Sequence, residues 1–150
     1  MDLILWRHAD AEDGTPDLAR KLTPKGVQQA RAMAEWLRAR VPRKVRMIVS
    51  PAQRARQTAD ALSEDYEVQR EIGPDAAYPA ILAAAGWPDA GRAVIVVGHQ
   101  PTLGQTAAFL LSGVAREWSI KKGAVWWLSN RVRGEEAQIV LRAVIAPELL

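Results

Sequence analysis

The chain has 150 residues, of which 49% are hydrophobic and 25% charged, with a formal net charge of +3 at pH 7. That length and balance fit one globular domain, residues 1–150, long enough to bury a core. There is no cysteine, which excludes disulfides, thiolate catalysis and cysteine-ligated metals, and no run reaches the ~20 apolar residues of a membrane helix.

An apolar run, Leu3-Ile4-Leu5-Trp6, ends in Arg7-His8 and reads as a strand buried on both faces, as in a parallel sheet. Residues 9–21 are polar, include Gly14 and Pro16, and read as a loop. Thr23-Pro24 supplies an N-cap with proline at the first helical position. Val27, Ala30, Ala34, Leu37 and Val41 follow at helical spacing, so a helix is expected to about residue 40, stopped by Pro42. Val45–Val49 reads as a second strand. Ser50-Pro51-Ala52-Gln53 has the form of a capping box, opening a helix with Ala52, Ala55, Ala59 and Leu62 as its buried stripe.

Val68–Ile72 reads as a short strand and Ala76–Ala85 as an alanine-rich helix ending at Gly86. Ala93–Val97 is another continuous apolar run, closed by Gly98-His99. Thr102-Leu103-Gly104-Gln105 has the form of a second capping box, opening a helix that ends near Gly113. Ala124–Ser129 and Ala137–Ile145 read as strands, with Asn130–Glu136 as the turn between them. Strands alternate with helices early and form a hairpin late. The expected fold class is therefore α/β: a three-layer sandwich around a mostly parallel sheet with an antiparallel edge strand.

The basic residues are scattered rather than striped, so neither a nucleic-acid surface nor a membrane surface is expected. Asp2 leads straight into a strand with no basic or apolar leader, and a cytoplasmic protein is the expectation. The six tryptophans are expected to fill core or seal helix–sheet contacts.

Three segments share one geometry, in which a strand ends, a polar group appears, and a helix or loop begins. They are Arg7-His8, Ser50-Pro-Ala-Gln-Arg54 and His99-Gln100-Pro-Thr. In open α/β sheets the carboxyl ends of strands face one crevice. That crevice would gather both imidazoles of the chain with Arg7 and Arg54, and the segments bring no obligatory carboxylate. Guanidinium forks match phosphate oxygens, and a neutral imidazole is a competent nucleophile toward phosphorus. Flanking arginines favour that neutral form.

In these residues the chain resembles the histidine phosphatases, the phosphoglycerate mutase-like superfamily, and most closely its SixA-type phosphohistidine phosphatases. That resemblance rests on Arg7-His8-Ala9, on Arg20-Lys21-Leu22-Thr23-Pro24-Lys25-Gly26, on Ser50 to Thr58, and on Gly98-His99-Gln100-Pro101. It implies a phosphoglycerate mutase-like fold and a metal-independent phosphatase without cofactor. His8 would be the nucleophile, with Arg7, Arg54 and His99 binding the phosphoryl group and Arg20 an additional loop arginine. Ala9 stands where the family has glycine. Glu71, with Asp75 close by, lies where the family's acidic proton donor would be sought, although a surface carboxylate is the plainer reading. Ser50 reads as a cap, and Gln57 and Thr58 as packing residues.

The span from Ile72 to Ala93 is short for a lid, and an open pocket suits a phosphohistidine presented on a partner protein, such as a histidine phosphorelay domain. The alternatives are a phosphatase of small phosphate esters, nucleotides or polyphosphate, and a non-catalytic module that binds a phosphorylated ligand. Metal ligation by the two histidines would need carboxylates that these motifs do not supply.

Overall fold

The computed structural model describes residues 1–150. In chain order its elements are β1 (Asp2–Arg7), α1 (Pro24–Arg38), β2 (Arg46–Val49), α2 (Gln53–Asp60), β3 (Glu67–Val68), α3 (Tyr78–Ala85), β4 (Val94–Gly98), α4 (Thr102–Ser112), β5 (Val125–Arg133) and β6 (Glu136–Ile145). Short 3-10 turns lie at Asp17–Ala19, Arg70–Ile72 and Pro147–Leu149. No helix is long and apolar enough to cross a membrane.

The continuous apolar runs become the central strands because both faces of the sheet are covered. Leu3 and Leu5 of β1 join Val94 and Val96 of β4 in a core with Ile81 and Ala85 of α3 and Leu103 and Ala107 of α4. Ile4 and Trp6 alternate to the opposite face, where Ile95 and Val97 meet Met33, Ala34 and Leu37 of α1 and Ala55 and Ala59 of α2. The three expected layers are present. Truncating a fully buried leucine such as Leu5 to alanine would cost about 2–5 kcal/mol.

The sheet runs β3-β2-β4-β1-β5-β6. β1, β2, β3 and β4 are parallel, while β5 runs antiparallel to β1 and β6 antiparallel to β5. The antiparallel strand is therefore second from the edge rather than at it, because the late hairpin adds both its strands on one side. Its turn is tighter than Asn130–Glu136, since pairing continues to Arg133 and resumes at Glu136. The segment expected as a strand over Val68–Ile72 pairs only at Glu67 and Val68 before turning into the 3-10 turn at Arg70.

Helix starts differ in an informative way. Thr23 caps α1 as expected, its Oγ1 accepting from the Gly26 N–H at 3.0 Å. A Cβ on Gly26 would run into the Asp10 carbonyl, so the motif glycine reflects a close crossing of helix and loop. Neither expected capping box forms. α2 begins at Gln53 behind Ala52, and Ser50 is one strand-end earlier, its Oγ accepting from the Ala52 N–H. At α4 it is Gln100, ahead of the helix, whose Oε1 accepts from the Gly104 N–H, while the Thr102 hydroxyl donates to the Ala76 carbonyl.

Trp6 and Trp127 are buried, and Trp87, Trp118 and Trp126 pack on one core face while Trp36 packs on the other. The Trp6 indole N–H donates to the Gly123 carbonyl at 3.1 Å. That bond ties β1 to the segment entering β5.

Candidate active site

Sheet register builds the site. Arg7 stands opposite Gly98 in the parallel pair β1–β4, so His8 and His99 each follow one residue beyond the same level. Val49 of β2 pairs with Val97, which brings Ser50 to that edge as well. The imidazole centroids lie 5.2 Å apart with their planes tilted by 55°. A cavity of about 350 Å³ opens there, and Arg7, His8, Arg20, Arg54 and His99 all line it. Asp13, Asp17, Asp75 and Lys122 complete its charged wall. Glu71 does not belong to this lining; it is exposed on the 3-10 turn that precedes Asp75.

His8 is 8% exposed, and its Nδ1 lies 2.8 Å from the carbonyl oxygen of Ala9. A carbonyl only accepts, so Nδ1 carries the proton and Nε2 keeps its lone pair. Burial, with the charges of Arg54, Arg7 and Arg20 added, pushes the His8 pKa down to about 4 against the raising effect of the Ala9 bond. At neutral pH this is a neutral imidazole in a defined tautomer.

The loop holding it is clamped to α2. The Ala9 N–H donates to Thr58 Oγ1 at 3.0 Å, and that hydroxyl donates to the Arg54 carbonyl at 2.7 Å. Gln57 similarly accepts from the Leu22 N–H. Ala9 is fully buried beside Leu22 and Ala30, and its φ is not positive. Alanine fits at the position where the family has glycine.

His99 is held the other way round. Its Nε2 lies 2.7 Å from Ser50 Oγ, and Arg54 Nη2 lies 3.5 Å from its Nδ1. Guanidinium groups only donate, so Nδ1 is the accepting nitrogen and Nε2–H points at the serine. Burial, then the neighbouring His8 and Arg54, push the His99 pKa down to about 3, with Asp17 opposing. Ser50, expected as a helix cap, is in fact the partner of the second histidine.

The arginines are only partly committed. Arg7 donates from Nη1 to the Ile120 carbonyl at 2.8 Å. Arg54, 3% exposed, donates from Nη1 to the Asp17 carbonyl and from Nη2 to its carboxylate, at 2.8 and 3.1 Å. Arg20 donates from Nε to the same carboxylate at 3.0 Å. The Nε atoms of Arg7 and Arg54 are buried and have no partner, an arrangement that costs stability unless something accepts from them.

Asp17 adds to the crevice a carboxylate that the three strand-end segments do not supply. Burial acts to raise its pKa, but the hydrogen bonds from Arg54 and Arg20 outweigh that and hold it below the usual range. It is ionised and bridges two arginines. Sequence reasoning passed over it, although its spacing of three residues from Arg20 is a charge-pair signal. No three His, Asp or Glu side chains gather into a metal-holding group.

A family model for the histidine phosphatase superfamily (branch 1) matches residues 3–76. Phosphohistidine phosphatase SixA of Escherichia coli is 31% identical over 122 residues, covering 75% of this chain and 76% of that protein. Among solved structures, the protein histidine phosphatase SixA complexed with tungstate superposes with a TM-score of 0.81 at 25% identity, covering 99% of each chain. A mutant phosphoserine phosphatase from Entamoeba histolytica shares the fold, with a TM-score of 0.71 at 15% identity over 99% of this chain and 98% of that one. With the four motifs brought to one sheet edge and SixA among its homologues by sequence and by fold, the chain belongs to the histidine phosphatase superfamily.

Proposed function

We propose that this chain is a metal-independent phosphohistidine phosphatase that works through a phosphorylated His8. The observation that carries the reading is a neutral His8 whose Nε2 makes no hydrogen bond, in one cavity with the guanidinium groups of Arg7, Arg20 and Arg54. Guanidinium forks match phosphoryl oxygens, and SixA, the homologue, is a phosphohistidine phosphatase.

In the first step Nε2 of His8 attacks phosphorus and the bond from phosphorus to the substrate's imidazole nitrogen breaks. Arg7, Arg54 and Arg20 balance the charge on the transferring oxygens. The departing imidazole takes up a proton from water. In the second step water attacks phospho-His8, the bond from phosphorus to Nε2 breaks, and inorganic phosphate leaves. His99 swings its Nε2–H from Ser50 toward the phosphoryl oxygens, as a donor of one more hydrogen bond. Asp75, which lines the cavity where Glu71 does not, is the carboxyl group we assign to protonating a poorer leaving group such as an alkoxide.

The substrate reading follows from what covers the site. α3, the helix in the span from Ile72 to Ala93, packs into the core through Ile81 and Ala85 instead of closing over the cavity. An open mouth suits a phosphohistidine carried on another protein, including a phosphorelay domain. Turnover of a phosphohistidine protein compared with a panel of small esters, nucleotides and polyphosphate tests this directly. Faster turnover of the protein supports the reading; preference for a small phosphate, or tight phosphate binding without any turnover, overturns it. Activity is expected to survive a chelator.

A further inference from the structure

A second groove, of about 620 Å³, lies beside the catalytic cavity, and of its lining only Arg7 takes part in the chemistry above. Arg7 and Lys122 line both spaces. Lys25 and Gln28 contribute an exposed face of α1, and Lys121 and Lys122 come from the segment before β5. Four cations thus line a groove containing one carboxylate, Glu148.

These charges are available for exchange. Lys121 Nζ pairs with Glu148 at 2.7 Å and Lys122 Nζ with Asp10 at 3.0 Å, both between exposed or half-exposed groups, where ion pairs are weak and readily traded. Lys25 lies in the first turn of α1, which contains no acidic residue. A cation there opposes the helix's own N-terminal field. Local stability does not explain that lysine, and such broken rules concentrate where a surface serves binding. Lysine is a mobile point charge without the planar fork that selects phosphate. Arg20 and Arg54 line only the catalytic cavity, Lys25 and Lys121 line only the groove, and Arg7 and Lys122 stand where both are lined.

We infer that the groove receives an acidic segment of the phosphorylated protein, next to its phosphohistidine. The inference rests on the phosphohistidine phosphatase reading and names the charge of its substrate. Carboxylates spread along that segment replace Glu148 and Asp10 as partners of the lysines and steer the phosphorylated side chain past Arg7.

The test uses the full chain and its double variant Lys25→Gln/Lys121→Gln, neither residue belonging to the catalytic cavity. Three substrates are compared: a phosphohistidine peptide flanked by Asp and Glu, its counterpart flanked by Asn and Gln, and free phosphohistidine. The wild type is expected to favour the acidic peptide by about five- to tenfold in kcat/KM at low salt, with the preference fading at high salt. The double variant should lose most of that preference while turning over free phosphohistidine at an unchanged rate. An equal preference in both proteins, or none in the wild type, overturns the inference. Fluorescence anisotropy of the unphosphorylated acidic peptide reads the groove without catalysis. Binding that depends on Lys25 and Lys121, with no peptide turned over, would sink the phosphatase reading and keep the groove. Turnover with charge-independent binding would do the reverse, and dependence on these lysines for tripolyphosphate alone would replace the acidic segment with a small anion.

Discussion

His8 and His99 leave neighbouring parallel strands at the same level, are almost equally buried, and have pKa values depressed for the same leading reason. They differ in which nitrogen is free. His8 gives its Nδ1 proton to a rigid backbone carbonyl and keeps Nε2 unengaged, whereas His99 gives its Nε2 proton to a serine hydroxyl and turns Nδ1 to an arginine. A carbonyl can only accept, so the His8 tautomer is locked; a hydroxyl can rotate and release its partner. The lesson is that hydrogen-bond partners, rather than position or burial, distinguish the two imidazoles, and on the proposed mechanism they suit one to attack and the other to donate.

The comparison breaks most sharply at His8, the proposed nucleophile. His8→Ala should lower kcat by at least about 10,000-fold and abolish acid-labile labelling of the chain by a phosphodonor. His99→Ala should lower kcat by about 100- to 1,000-fold, as for loss of one transition-state donor, while His8 still takes up label. Label retained in His8→Ala, or lost only in His99→Ala, would invert the assignment.

Ser50→Ala sharpens it at the next level. Without the hydroxyl, His99 loses its preset orientation, and kcat should fall about tenfold with KM little changed. Ser50→Thr keeps a hydroxyl and should recover part of the rate, which a purely structural serine would not require.

Proton linkage supplies a third comparison. The unfolded chain takes up protons near the ordinary histidine pKa of ~6.5, but the folded imidazoles do so only at about 4 and about 3. Between those limits the unfolded state binds more protons, so stability decreases as pH falls from about 6.5 toward 4. Thermal melts at pH 7.5 and pH 5 should show a lower Tm at pH 5, with a smaller difference in His99→Gln. An equal difference in both proteins would mean that His99 does not contribute. The acid limb of kcat/KM should likewise lie well below pH 6.5, reporting His8.

The smallest expected effect concerns Asp17, the carboxylate bridging Arg54 and Arg20. Asp17→Asn removes a charge that competes with the phosphoryl oxygens, so inorganic phosphate should inhibit about two- to fivefold more strongly, in line with the modest worth of partly exposed pairs. Weaker inhibition would show that Asp17 orients Arg54 rather than occupying it.

Much of this was legible in the chain. The apolar runs ending at His8 and His99 encode parallel strands, and parallel pairing at Arg7 and Gly98 brings the imidazoles together. Thr23-Pro24 encodes its helix start locally and was read correctly. At Ser50 local spacing permits a cap, while a partner 49 residues away takes the hydroxyl instead. Asp17 was overlooked because the polar loop shows no periodicity, and its meaning comes only from the Arg54 that folds against it. Glu71 and Asp75 were close in sequence, and only the turn between them decides which one reaches the cavity. The central strands and the Thr23 cap are legible in the sequence; the other two helix starts and the side-chain partners across the sheet edge are not.

The segment from Ile120 to Ala124 braces the His8 loop from far along the chain. Gly123, at a positive φ of 74°, donates its N–H to the carbonyls of Arg7 and His8, while the Ile120 and Gly123 carbonyls receive the Arg7 guanidinium and the Trp6 indole. The loop that carries His8 is thus held from three directions: by Gly98 of β4, by Thr58 of α2, and by this crossing segment more than a hundred residues further along. The four motifs from Arg7 to Pro101 contain the first two anchors and not the third, so a substitution at Gly123 is expected to disturb Arg7 although it alters no motif residue.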